Sequence, residues 1–77
     1  MMLLEFISFD NGIVRYWYQP EEKGKKGIVE YNTRTEEGKI IEAAENNPDF
    51  WNSRAIAKLR RLSAEKQYPE KTIMAIY

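Results

Sequence analysis

The longest regular run of apolar positions lies in the second half of the chain, over Asn47 to Lys66 (NPDFWNSRAIAKLRRLSAEK). At about 100° per residue, Trp51, Ala55, Leu59 and Leu62 fall on one stripe and Ile56 widens it, which predicts one amphipathic helix. Asn47 suits the N-cap, Pro48 the first helical position, and Asp49 places negative charge at the positive end of the dipole. Gln67-Tyr68-Pro69 stops the helix, because the residue before a proline avoids the helical region.

The first nineteen residues follow the other period. Asn11-Gly12 stands between two apolar, β-branched and aromatic runs, which predicts a hairpin over residues 3–19. With a two-residue loop, opposite residues are fixed by the turn, and the faces follow from alternation. Ile7, Phe9, Val14 and Tyr16 then share one face, with Glu5 and Tyr18 further along. Leu4, Phe6 and Trp17 share the other, with Ser8 and Arg15. Large apolar groups on both sides predict a sheet that needs cover on both sides.

Gln19 to Gly27 (QPEEKGKKG) reads as a loop, since proline and glycines among charges forbid a packed element. Ile28 to Thr33 is a third strand, and Lys39 to Ala44 a fourth, after a Thr35–Gly38 turn in which Gly38 supplies the positive φ. A short helix over 36–46 competes for that segment, since Thr33 and Glu36 have capping-box spacing. Gly38 in its interior argues for the strand. Thr72 to Tyr77 is an apolar run expected to form a fifth strand. The expected fold class is α+β: an antiparallel sheet of four to five strands (β-β-β-β-α-β) with one amphipathic helix packed across one face.

Several of these segments together are similar to a loose group of small bacterial proteins. In that group an IEY-type strand, a turn and a KII strand precede a helix rich in alanine and arginine and a closing FPE…IAWY. The matching residues are Val29-Glu30-Tyr31, Gly38-Lys39-Ile40-Ile41, Ala57 to Leu62, and Tyr68-Pro69-Glu70 through Ala75-Ile76-Tyr77. This chain departs from the pattern with tyrosine at 68 for phenylalanine and isoleucine at 76 for tryptophan. The resemblance implies a strand over 39–44. It implies no activity, so no residue role is carried over.

Composition narrows the chemistry. The 77 residues are enough for one domain, 1–77, with a core only just sufficient for its size. The chain has no cysteine and no histidine, which excludes disulfides, Cys/His zinc sites and every His-based triad. Twelve Lys and Arg balance twelve Asp and Glu, so no net field draws nucleic acid or an acidic membrane. Glu5 interrupts Met1-Met2-Leu3-Leu4 too early for a signal peptide or a span. The expectation is a soluble cytoplasmic protein without cofactor or metal.

Two clusters carry candidate binding chemistry. Arg54, Lys58 and Arg61 form a basic row along the helix that could meet phosphates, although a solvated face paired with nearby carboxylates is the plainer account. Arg15-Tyr16-Trp17-Tyr18 has the make-up of a stacking platform for single-stranded nucleic acid, yet three successive aromatics cannot share a face. A core aromatic on one side and an association surface on the other is the simpler outcome. Lys23-Gly24-Lys25-Lys26-Gly27 lacks the Walker pattern and leads into a strand. Asp10-Asn11-Gly12 is turn chemistry, and Glu36, Glu37, Glu42, Glu45 and Asp49 show no octahedral spacing. Ser53 and Ser63 have no activating base nearby in sequence. The expected role is a non-catalytic interaction module, binding a protein partner or itself as a homodimer, with Phe6, Tyr16, Trp17 and Tyr18 as candidate interface residues. Nucleic-acid binding through Arg54, Lys58 and Arg61 is the alternative.

Overall fold

Asn11 and Gly12 both take positive φ, 50° and 78°, as a type I′ hairpin turn requires. The structure, a computed structural model, describes residues 1–45 and 48–74. The turn joins β1 (Met2–Asp10) to β2 (Ile13–Pro20). β3 (Gly27–Asn32), β4 (Glu37–Glu42), α1 (Pro48–Glu65) and β5 (Lys71–Met74) follow. All pairings are antiparallel, in the order β4-β3-β2-β1-β5, and the helix lies across β2, β3 and β4 on one face. The α+β class, the five strands and the single helix are as the periodicities indicate. The expected N-cap at Asn47, and residues 75–77 of the expected last strand, lie outside the described residues.

The register departs from the simple hairpin at one point. Asp10 faces Ile13, Phe9 faces Val14 and Ser8 faces Arg15, but Phe6 then faces Tyr16, leaving Ile7 as an extra residue. This bulge reverses the face of everything before it. Met2 and Leu4 therefore join Val14, Tyr16 and Tyr18 beneath the helix, all fully buried, with Phe6 packed against them. The expected grouping of Leu4 and Phe6 with Trp17 is thus corrected. From Phe6 back to Met2, β1 presents its even-numbered residues to the core. Large groups that looked divided between two faces are mostly gathered on one.

Around this sheet face the core closes with Val29 and Tyr31 from β3, Ala44, and Trp51, Ala55, Leu59 and Leu62 from α1. The predicted helical stripe is the buried one. Residues 66–70 add cover on the β1 side: the Tyr16 hydroxyl donates to the Pro69 carbonyl at 2.6 Å and the Phe9 and Tyr68 rings lie 4.9 Å apart. Tyr18 reaches the far side, donating to Asn52 Oδ1 at 2.6 Å and accepting from the Ala44 N–H at 3.1 Å. The hydroxyls of Tyr16 and Tyr18 are thus both partnered, as burial of a polar group demands.

Two chain reversals differ from expectation in detail. In the β3–β4 turn the positive φ falls on Glu36 (60°), not Gly38, and Asn32 Oδ1 accepts from the N–H groups of Arg34 (2.9 Å) and Thr35 (3.2 Å). Gly38 lies within β4 instead, where a Cβ would come 3.1 Å from Cγ1 and 3.2 Å from Cβ of Ile56, and nearer still to Cγ2. Its lack of a side chain lets the helix settle onto the strand. At the end of α1 the chain turns at Lys66 (φ 55°), and the Lys66 and Gln67 N–H groups donate to the Ser63 and Leu62 carbonyls. That is a Schellman cap, so the helix has already stopped three residues before Pro69.

Candidate interaction surface

The face of the sheet away from α1 is built by strict alternation from the buried residues. Since Tyr16 and Tyr18 point into the core, Arg15, Trp17 and Gln19 point outward. Register then assembles rows across the strands. Lys71, Glu5, Trp17, Ile28 and Glu42 form one row spanning all five, with Trp17 at its centre. Ile73, Leu3 and Gln19 lie on one side of it, and Ser8, Arg15, Glu30 and Lys39 on the other.

Trp17 remains 38% exposed and Ile73 51%, while Leu3 and Ile28 beside them are half-buried. The charges around this apolar centre are arranged in pairs. Lys26 Nζ lies 2.5 Å from Glu5 Oε1 and Lys25 Nζ 2.6 Å from Glu42 Oε1, one pair at each side of Trp17 and Ile28. Lys26's hydrogen bond holds the Glu5 carboxyl below its ordinary pKa, and Glu42 raises Lys25 by accepting its hydrogen bond. The basic segment 23–27 thus supplies two of the cations of the sheet face. In the neighbouring row Arg15 Nε donates to Glu30 Oε1 at 2.9 Å, and Lys39 Nζ stands 3.7 Å from Glu30 Oε2. The Glu30 side chain is only 12% exposed, so this carboxylate is neutralised within the face itself.

Of the four expected interface residues, the structure places only Trp17 on this surface. Tyr16 and Tyr18 have no exposed area, and burial pushes the Tyr16 hydroxyl up to about 12 and raises that of Tyr18. Phe6 meets Tyr16 edge-on at 5.5 Å between ring centroids, on the core side. Sequence reasoning missed Leu3, Ile28 and Ile73 as companions of Trp17. The signal for Ile28 was present in the alternation of β3, but Leu3 and Ile73 depended on the bulge.

The three cations of the basic row on α1 have different surroundings. Arg54 stacks over the Phe50 ring at 3.7 Å and donates to the Phe50 carbonyl, and Arg61 lies 3.8 Å from Glu65. Lys58 and Arg61, with Ala57, border a groove of about 300 Å³ whose opposite wall is Ile73 and Met74 of β5. Among the described residues no three His, Cys, Asp or Glu side chains gather as a metal site would need. Among the same residues no helix is long and apolar enough to cross a membrane.

The chain matches no family model, no curated protein and no solved structure. Its surfaces are therefore the ground for a functional reading.

Proposed function

We propose that the chain is a non-catalytic interaction module that binds a second copy of itself, or another protein, through the outer face of its sheet. One observation carries this reading: an exposed tryptophan sits at the centre of a five-strand row, on the face opposite α1. Aromatic anchors within a rim of satisfied polar groups are what protein interfaces use, and here the rim carboxylates Glu5, Glu30 and Glu42 are already paired. Covering the face would desolvate pairs and not lone ions, which lowers the cost of association. The most shielded carboxylate of the face, Glu30, contacts cations and not a hydroxyl nucleophile, which supports a binding role over catalysis.

Light scattering on the full chain across a micromolar to millimolar range tests self-association. A mass above the 9.1 kDa of one chain, falling on dilution and lost in Trp17→Glu, is the expected result. A single-chain mass at every concentration, unaltered by Trp17→Glu, removes the homodimer.

The alternative is nucleic-acid binding through Arg54, Lys58 and Arg61. Lys58 and Arg61 do stand together beside one groove, which favours it. Burial of Tyr16 and Tyr18 leaves the aromatic strand a single exposed ring, which weighs against base stacking. Retardation of RNA at low salt, weakened by Lys58→Glu, would support this alternative, and no retardation would remove it.

A further inference from the structure

We propose that the free edge of β5, with the groove between it and α1, accepts an extended acidic segment of a partner protein as a sixth strand. The edge adjoins the Trp17 face at Lys71 and Ile73, but its backbone groups and the groove lie away from Trp17, so either reading can fail without the other.

The backbone supplies the first part of the argument. Phe6 N–H donates to the Glu70 carbonyl at 2.8 Å, on the same register that sets Leu4 against Thr72 and Met2 against Met74. In an antiparallel ladder, hydrogen-bonded and non-bonded pairs alternate. Leu3–Ile73 and Glu5–Lys71 are therefore the non-bonded pairs, so Lys71 and Ile73 turn their N–H and C=O groups away from β1. β5 ends the sheet, and among the described residues no strand pairs with those groups. Strand addition needs such a row of outward donors and acceptors.

Charge selects the occupant. Lys58, Arg61 and Lys71 border this edge, and among the described residues no carboxylate pairs with Lys58. Arg61 has only a loose exposed contact with Glu65. A second copy of β5 is a poor guest, because Lys-Thr-Ile-Met brings a lysine and no acid toward three cations. The opposite edge, β4, is less receptive, since it carries Glu37, Lys39 and Glu42 and a register irregularity at Ile41. On a strand beside β5, residues facing Thr72 and Met74 point to the helix side, toward Lys58 and Arg61. Their neighbours point to the outer side, beside Ile73. An alternation of acidic and apolar residues satisfies both.

The test uses the full chain, isotopically labelled, titrated with a capped ten-residue peptide of alternating valine and glutamate. Expected are roughly ten-fold or greater slowing of amide exchange at Lys71 and Ile73 and binding that weakens as salt is raised. Ile73→Pro deletes an N–H that the ladder with β1 does not use, so it should keep the fold and abolish binding. The surface pair Lys58→Glu and Arg61→Glu should also lower affinity by roughly ten-fold or more. The proposal is overturned by equal binding of a valine–lysine peptide, by perturbation confined to Trp17 and Ile28, or by no binding at millimolar peptide. Binding of polyuridine with no response to the peptide would overturn it too, and would assign the groove to nucleic acid.

Discussion

Replacing Gly38 by alanine gives a result whose sign depends on the packing of α1 against β4. A glycine inside a strand ordinarily weakens it, and alanine there should add roughly 0.5–1 kcal/mol of stability. In this fold the added methyl would stand 3.1–3.2 Å from two carbons of Ile56 and closer to a third. Unstrained carbon contacts lie at about 3.5–4.0 Å, so α1 must lift by about an ångström or Ile56 must leave its rotamer. Overpacking of this kind costs about 1–3 kcal/mol, which outweighs the backbone gain and leaves Gly38→Ala destabilised by about 1–2 kcal/mol. In a chain of this length each kcal/mol moves Tm by roughly 4–8 °C. Urea melts of the wild type, Gly38→Ala, Ile56→Ala and the double variant close a cycle. Because the two contacts to the Ile56 γ-carbons vanish in Ile56→Ala, the double variant should be about 1 kcal/mol more stable than additivity gives. A stabilised Gly38→Ala, or an additive cycle, would refute the close approach of helix and strand.

Other outcomes follow from the same coordinates. Trp51→Ala, at a buried position of the helical stripe, should cost about 3–5 kcal/mol in chemical denaturation, and an unchanged midpoint would place the ring outside the core. Glu21 and Glu22 occupy a two-residue turn at φ 58° and 55°, a conformation that suits Asn-Gly, so Glu21→Asn with Glu22→Gly should raise stability by about 1 kcal/mol in thermal melts. Tyr16 ionises more readily in the unfolded chain, near 10, than in the fold, at about 12. Its stabilising contribution is complete below pH 10 and is lost as pH rises to 12. Tyrosinate absorbance should therefore appear together with loss of ellipticity in that window, and ionisation at pH 10 in a folded chain would contradict it.

How much of this was readable from the residues depends on the range of the forces involved. The α1 stripe, the Asn11-Gly12 turn and a fourth strand are local matters of periodicity, capping and turn chemistry, and they were legible, although that strand, expected over 39–44, lies at Glu37–Glu42. The end of the helix was less so: Lys66 takes a left-handed conformation that usually goes to glycine, so Pro69 looked like the stop signal. The candidate surface was legible only at Trp17. Its companions are set by pairings between residues distant in sequence, such as Leu3 with Ile73 and Trp17 with Ile28. The ion pairs Glu5–Lys26 and Glu42–Lys25 likewise join segments that no short window connects.

The surplus residue at position 7 works as a parity switch for the start of the chain. Downstream of it, odd and even positions keep the assignment that the turn dictates; upstream they trade places. The chemical nature of that residue is almost irrelevant to the exchange, whereas its being skipped by the ladder is decisive. Were Ile7 instead paired with Tyr16 in an unbroken ladder, Leu3 and Glu5 would face the interior and Met2 and Leu4 would turn toward water, although no side chain had been altered. The fate of five residues is thereby governed by counting, and an alignment with a chain lacking the bulge that denied a one-residue gap there would compare opposite sides of the sheet.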